Sequence, residues 1–311
     1  VMAQTAEKVY MLQRTPTYMV SRPARDWFAN TLRAIMPDMW AYNITRWRNI
    51  AMQRFTYNMA RKKPEKMSKR LLEMARKMLP ADYPSFEKDF QPPYTPWEQR
   101  LCLVPDADMF DAISAGKAEI VTDHIERFTP TGIKLKSGRE LEADIVVSAT
   151  GLNLVMMGKT NLSIDGRATK PSEHVSYKGM MFNDIPNMAS VFGYVNASWT
   201  LKTDIVADYV CRLLKTMDAK GTPIANPHLD DADMPRLPWV DDFSAGYFAR
   251  SFDKLPKNGD RHPWRVLQDY KAEKKILTED PIEDGVMQFT KAGEIAKPVV
   301  SASEPMLEAA E

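Results

Sequence analysis

The chain has 311 residues, 44% hydrophobic and 27% charged, with a formal net charge of +1. That is enough for one large domain or two ordinary ones, and the charge balance excludes a nucleic-acid binder acting through bulk electrostatics. Two cysteines, Cys102 and Cys211, exclude a disulfide framework and suggest a reducing compartment or no redox role, and the expected setting is cytoplasmic; no run of about 18 apolar residues suggests a membrane span, and no leader peptide is expected at the N-terminus.

Residues 1–8 read as the end of a helix, and Val9-Tyr10-Met11-Leu12 as a short buried strand broken by Gln13-Arg14-Thr15-Pro16. A helix running straight into a buried strand is the middle of a βαβ unit. The preceding strand and its glycine turn are therefore expected upstream of Val1. Residues 24–79 carry long helical stretches in which Trp27, Phe28, Trp40, Trp47, Phe55 and Tyr57 punctuate a basic sequence. From Arg22 to Lys77 there are 14 Lys+Arg against 4 Asp+Glu. Such a run reads first as the solvated face of a helical insertion, and it also suits a membrane surface or RNA.

Pro80, Pro84, Pro92, Pro93 and Pro96, with Tyr83, Tyr94 and Trp97 between them, mark a loop and a domain boundary. Asp106–Ile113 reads as a helix ended by Ala115-Gly116. Residues 118–149 read as a β-meander. Its strands are Ala118–Thr122, His124–Phe128, Ile133–Leu135 and, after a tight turn at 136–139, Glu140–Leu141. Asp144–Ala149 is a continuous apolar run of the kind found in a buried parallel sheet, followed at once by Thr150-Gly151. A second buried strand is expected at Met188–Phe192, ending at Gly193. An amphipathic helix then spans Thr200–Thr216, with Leu201, Ile205, Tyr209, Arg212 and Leu213 at helical spacing. Residues 222–242 read as a surface connection, and the chain beyond about 290 as a frayed tail.

Ligands of open α/β sheets sit at the carboxyl ends of parallel strands. Arg14 and Thr15 lie just past the strand at Val9–Leu12. At that place in a Rossmann unit an acidic residue selects NAD, whereas an arginine accommodates the 2′-phosphate of NADP. Taken alone, Arg14 equally fits a plain surface charge. The turn after Asp144–Ala149 is made of small residues, Thr150 and Gly151, which let backbone approach a cofactor closely or simply end a strand. Asn196-Ala197-Ser198-Trp199 leads into a helix whose N-terminal N–H groups and dipole suit an anionic group such as a reduced flavin's pyrimidine carbonyl. Ser198 as an ordinary N-cap fits the same pattern.

Four stretches then carry a family resemblance. Tyr10-Met-Leu-Gln-Arg14-Thr-Pro-Thr-Tyr-Met resembles the end of the second NADPH-domain strand of Baeyer–Villiger and related flavin-containing monooxygenases. Asp144-Ile-Val-Val-Ser-Ala149-Thr150-Gly151 resembles the D-x-x-x-x-A-T-G stretch of that superfamily. Gln99-Arg-Leu-Cys-Leu-Val-Pro-Asp-Ala-Asp-Met-Phe110 and Asn258-Gly-Asp-Arg-His-Pro-Trp264-Arg are similar to the ethionamide-activating type within the group. The resemblance runs from residue 1 to about 290.

It implies a class B flavoprotein monooxygenase using FAD, NADPH and O2. Such an enzyme inserts oxygen beside a ketone carbonyl or transfers it to sulfur or nitrogen through a flavin C4a-peroxide. The implied fold is α/β, FAD/NAD(P)-binding and Rossmann-like, of the kind with two dinucleotide-binding domains. Here it is truncated at the N-terminus and carries a helical insertion and a β-meander. The implied organisation is a remnant of the NADPH domain at 1–23, a helical insertion and linker at 24–98, and a return to the NADPH domain at 99–117. The C-terminal part of the FAD domain follows at 118–290 and a flexible tail at 291–311. Arg14 and Thr15 would hold the 2′-phosphate, Arg100 would stabilise the peroxide anion, and Asn196, Ser198 and Trp199 would lie near the flavin ring. Asp144, Ala149, Thr150 and Gly151 would approach a cofactor. Gln99 stands where the family often has a cofactor-contacting lysine.

The family's glycine loops and the His- and Trp-containing fingerprint between them do not occur in these 311 residues, and Gly is only 13 of 311 against an average of roughly 7%. The chain is therefore expected to be a fragment of a longer protein, and not to retain FAD or oxidise NADPH by itself. An N- or S-oxygenating flavin monooxygenase is the alternative within the class. A non-catalytic basic protein that binds membrane surfaces through residues 24–79 is the alternative outside it.

Overall fold

The computed structural model describes residues 1–231, 233–240, 243–291 and 293. Most of the expected 291–311 tail lies outside them. The chain is mixed α/β and divides into two compact units. The first takes residues 1–154, 195–197 and 243–250, and the second holds the remaining described residues.

In the first unit, a short helix α1 (Met2–Thr5) leads into β1 (Val9–Gln13) and then β2 (Met19–Arg22). Three helices follow: α2 (Trp27–Ile35), α3 (Asp38–Lys62) and α4 (Pro64–Arg76). Asp26 caps α2 by accepting from the backbone N–H of Phe28 and Ala29 at 3.1 and 3.2 Å, and Pro64 opens α4 where its missing N–H costs nothing. After α5 (Phe86–Phe90) come β3 (Cys102–Pro105), α6 (Asp108–Ser114), β4 (Ala118–Thr122), β5 (Ile125–Thr129), β6 (Gly132–Leu135) and β7 (Glu140–Glu142). β1 pairs with β4 and β2 with β3, both parallel, while β5, β6 and β7 form an antiparallel sheet. The buried apolar residues between α4, α5, α6 and these strands include Leu79, Phe86, Phe90, Val104, Phe110, Ile113 and Ile120. Phe90 stacks on Phe86 at 5.3 Å and on Phe110 at 6.0 Å.

The second unit contains three short antiparallel pairs: β8 (Leu162–Ile164) with β9 (Arg167–Thr169), β10 (Ser176–Tyr177) with β11 (Met181–Phe182), and β12 (Ile224–Pro227) with β13 (Met287–Thr290). Its core forms where α7 (Trp199–Lys220) lays Ile205, Val206, Tyr209 and Leu213 against Tyr177, Met180, Met181, Trp264 and Leu277.

Several expected elements differ. Ala118–Thr122 does not belong to the meander: its register runs alongside Val9–Gln13, because it is buried on both faces, Ile120 in the cluster that Met11 packs against and Val121 in the one that Tyr10 and Leu12 pack against. The remaining meander is β5–β7. Asp144–Ala149 is coil, with Ile145 77% and Val147 63% exposed. A buried parallel strand needs a ladder partner, and none of the described strands runs beside this segment. Met188–Phe192 is not a strand either. Its neighbourhood makes single bonds instead of a ladder, from Asn187 N–H to the Ala225 carbonyl at 2.9 Å and from Ser190 N–H to the Met180 carbonyl at 2.7 Å. The 80–98 loop carries the buried turn α5, and the 222–242 connection contributes β12 and the buried Trp239 and Val240 to the interior. The expected segments 1–23, 24–98 and 99–117 fall in the first unit, whereas 118–290 spans both.

Candidate functional site

At the carboxyl end of the β1–β4 pair a buried carboxylate organises the backbone. Asp89, on α5, accepts from Thr122 Oγ1 at 2.7 Å, from Tyr83 OH at 3.0 Å and from Ser85 Oγ. Gln13 Nε2 donates to Thr122 Oγ1 and to the Asp89 carbonyl, each at 2.8 Å. Burial pushes the Tyr83 phenol above its ordinary range, and the Asp89 charge and hydrogen bond push it further the same way. The last residue of β1 is thus tied into a satisfied buried network. Arg14 and Thr15 leave the strand immediately after it, and both are exposed. Nothing in the sequence pattern singled out Asp89. A carboxylate one residue before a buried aromatic in a short turn has no periodic signature.

Arg100 ends the Pro-rich segment before β3. Its carbonyl accepts from Thr17 Oγ1 at 3.1 Å, fixing the backbone, while its exposed guanidinium donates to the Val195 carbonyl at 3.4 Å and lies 5.5 Å from the Phe243 ring. Two residues earlier Glu98 anchors both neighbours. Its carboxylate accepts from Thr95 N–H at 2.8 Å, and its carbonyl accepts from Ser244 N–H at 2.9 Å. Gln99 is half-buried and bridges in parallel to Pro96, and Asn196 is half-buried next to Val195. The structure therefore brings Arg100 to the backbone beside Asn196. It leaves Asp144, Ala149, Thr150 and Gly151 in an exposed coil, with Gly151 at φ +107 and open space around it. A cleft of about 930 Å³ opens between α4 and the Pro92–Glu98 segment, floored by Tyr18, whose hydroxyl bonds Ser68 Oγ at 2.8 Å.

In the second unit Ser198 precedes α7 without capping it. Its hydroxyl pairs with Thr200 Oγ1 at 2.9 Å instead of accepting from the helix backbone. Trp199 is half exposed, and its ring lies 5.1 Å from Phe192, which in turn lies 4.4 Å from Trp239. Gly193 is required here: a Cβ on it would fall 2.2 Å from Trp199 Cγ. One turn into α7 the structure adds what the sequence reading missed. Lys202 is buried and pairs with Glu273 at 2.8 Å, beside the Tyr194 ring. Lys178 is buried too, pairs with Asp284 at 2.9 Å, and sits 5.1 and 5.2 Å from the rings of Tyr177 and Tyr209. Lys178 and Gly179 supply the two positive φ values, +49 and +66, of the β10–β11 turn, and a Cβ on Gly179 would come within 3.0 Å of Lys202 Nζ. A signal existed for Lys202. It stands three, four and seven residues before Ile205, Val206 and Tyr209, on the buried stripe.

Asp284 also accepts from Tyr177 OH at 2.6 Å, and Tyr177 and Tyr209 share a hydrogen bond at 2.9 Å. Burial works to raise the Asp284 carboxyl. The Tyr177 hydrogen bond together with the Lys178 bond and charge outweighs it and holds the group below the usual carboxylate range. A depressed native pKa means stability that is full above the unfolded pKa, about 3.9, and is lost as pH falls through the native value. Thermal unfolding followed by circular dichroism is expected to show an acid limb starting near pH 4. Asp284→Asn should lower the neutral-pH midpoint and flatten that limb, and an unchanged limb would show that Asp284 is not its source. Burial raises the Tyr177 and Tyr209 phenols, so the same unit also loses stability as pH rises above about 10.

Among the described residues no group of His, Cys, Asp and Glu could hold a metal ion, and no helix is long and apolar enough to cross a membrane. No family model matches the chain. The fold is shared with flavoprotein monooxygenases. A solved structure described as oxidized steroid monooxygenase bound to NADP superposes with a TM-score of 0.62 at 16% identity, covering 94% of this chain and 64% of that one. Sequence relatives narrow this class. The FAD-containing monooxygenase EthA of Mycobacterium tuberculosis is 46% identical over 286 residues, 92% of this chain and 58% of the relative. The probable FAD-binding monooxygenase AlmA of an Acinetobacter species is 45% identical over 289 residues, 93% and 58% respectively. The chain is homologous to these FAD-containing monooxygenases, and it spans about 58% of the length of the curated relatives it matches.

Proposed function

We propose that the chain is part of an NADPH- and O2-dependent flavin monooxygenase that adds one oxygen atom to a small ketone, or to a sulfur or nitrogen centre. The observation that carries this is the 46% identity to a FAD-containing monooxygenase over 286 residues. In this reading residues 1–23 and 99–117 belong to an NADPH-binding domain interrupted by the 24–98 insertion, residues 118–290 to the later part of an FAD domain, and the preceding part of the fold to a longer polypeptide.

The residues present fit two ends of the cofactors. Exposed Arg14, with Thr15, stands past a parallel-strand end held by the Asp89 network, where it would pair with the NADPH 2′-phosphate. The first turn of α7, which follows Asn196 and Ser198 and which the Ser198 side chain does not cap, would offer N–H groups to an anionic flavin edge, and Trp199 on Phe192 would offer a flat apolar face. Asp144, Ala149, Thr150 and Gly151 would acquire their cofactor contacts once the 144–149 run gains a strand partner. Bound flavin supplies the redox chemistry with O2. The chain's own contribution would be the positive charge of Arg100, whose backbone Thr17 holds and whose guanidinium donates to the Val195 carbonyl; negative charge on oxygen would be stabilised there, with Gln99 next in the chain. One oxygen atom enters the substrate and the other leaves as water with the two electrons from NADPH.

The test is a chimera in which this chain replaces the matching segment of the Mycobacterium tuberculosis relative. NADPH oxidation coupled to O2 uptake and stimulated by a ketone or thioether is the expected result. A folded, FAD-loaded chimera that consumes no O2 with NADPH would overturn the reading.

A further inference from the structure

The second and third helices present their apolar side outward. Trp40, Ile44, Trp47, Ala51 and Phe55 recur at i, i+4, i+7, i+11 and i+15 of α3, which places them on one face. All five are exposed, Trp40 by 69%, Trp47 by 72% and Phe55 by 66%. Of the 25 residues of α3 only Ala41 and Ala60 are buried, and α2 buries none, with Trp27 and Ile35 also exposed. The pair is nonetheless well built. Asp26 caps α2 and forms an ion pair with Arg48 of α3, whose guanidinium stacks 4.4 Å from Phe28. An ordinary insertion would turn this stripe inward and its charges outward.

The charge of the chain is segregated in the same place. Residues 22–77 carry 14 Lys+Arg against 4 Asp+Glu, a net of +10, whereas the rest of the chain carries 28 against 37, a net of −9. We infer that the α2–α3 face is a docking surface for an anionic lipid bilayer, on which α3 lies in the plane of the interface. The chemistry matches on both counts. Tryptophan side chains partition to the headgroup boundary, an apolar face sinks roughly 5–10 Å into it, and Lys and Arg along the same helices meet anionic headgroups. A helix of 25 residues offers about 37 Å of contact length. A second copy fits less well, since it would bring the same +10 segment against itself. RNA fits less well too, because Ile44 and Ala51 in the stripe give nothing for bases to stack on.

The experiment is co-sedimentation of the 311-residue chain with phosphatidylcholine vesicles, with and without phosphatidylglycerol, together with quenching of tryptophan emission by brominated acyl chains. The chain should bind the phosphatidylglycerol vesicles with quenching and leave the neutral ones. Raising the salt to about 1 M, where the Debye length is roughly 3 Å, should weaken binding by about tenfold or more. The triple variant Trp40→Ser, Trp47→Ser, Phe55→Ser should unfold at the wild-type temperature, since these side chains are exposed, and bind about tenfold more weakly. Three results would overturn the inference. One is absence of binding to anionic vesicles. Another is binding that the triple variant keeps in full. The third is protection of the stripe by protein, seen either as a concentration-dependent dimer that the triple variant dissolves or as vesicle binding that vanishes in the full-length chimera.

Discussion

Lys202→Met should destabilise the second unit by about 3–5 kcal/mol, the usual cost of removing one partner of a buried ion pair. The side chains of Lys202 and Glu273 are 1% and 5% exposed and meet at 2.8 Å. Without the ammonium, Glu273 keeps the Leu267 N–H at 3.2 Å and the neighbouring Tyr194 phenol, but its charge has lost its counter-ion in a medium that cannot solvate it. The pair links the first turn of α7 to the helix Tyr270–Glu279, so the loss should appear in global urea unfolding and not as local fraying. Lys202→Met combined with Glu273→Leu separates the two contributions to the effect. If the cost comes from the orphaned carboxylate, the double variant recovers most of the stability, and can equal the wild type. A loss below about 1 kcal/mol in the single variant would mean that water reaches Glu273, and would remove the pair from the account of this core.

The buried pairs also show where sequence reading succeeds and where it stops. The α7 helix was legible because Leu201, Ile205, Tyr209 and Leu213 repeat at helical spacing, and all four are buried. The β1 strand was legible because a breaker follows a short apolar run. Periodicity, however, says that an element has two faces without saying what each face meets. The same helical spacing holds for Trp40, Ile44, Trp47 and Phe55, yet that stripe faces outward. The 144–149 run had the composition of a central strand, but composition cannot supply a ladder partner, and its apolar residues stand exposed. Lys178 and Lys202 defeat reading by residue type, because a lysine is buried only when a particular carboxylate, more than seventy residues away in both cases, comes to meet it. Of the site, the position of Arg14 after a strand and of Trp199 at a helix start followed from local pattern. The hold on Arg100 by Thr17 and Val195, and on Gln13 by Asp89, depends on distant segments and was not visible.

Arg100→Ala, placed in the chimera described above, should lower kcat for substrate-dependent oxygenation by about 10²–10³-fold, the range found when one preorganised electrostatic donor is removed from a site of developing negative charge. The structure makes this a clean substitution. The Arg100 side chain is exposed, its one shown hydrogen bond is long at 3.4 Å, and its ring contact with Phe243 leaves that ring buried among Tyr247 and Phe248. The backbone is held independently, by Thr17 on the Arg100 carbonyl and by Ser244 on the Glu98 carbonyl. The midpoint of unfolding should therefore barely move while kcat collapses, a split that a merely structural arginine would not give. Arg100→Lys keeps the charge but not the planar fork. It should recover part of the rate if charge alone matters and little if the two-pronged donor does. NADPH oxidation without substrate oxygenation in the alanine variant would place the role of Arg100 after cofactor reduction. Equal loss of both would place it before. Wild-type kcat in the alanine variant would remove Arg100 from the chemistry altogether, leaving it as the residue that ties the segment before β3 to Val195.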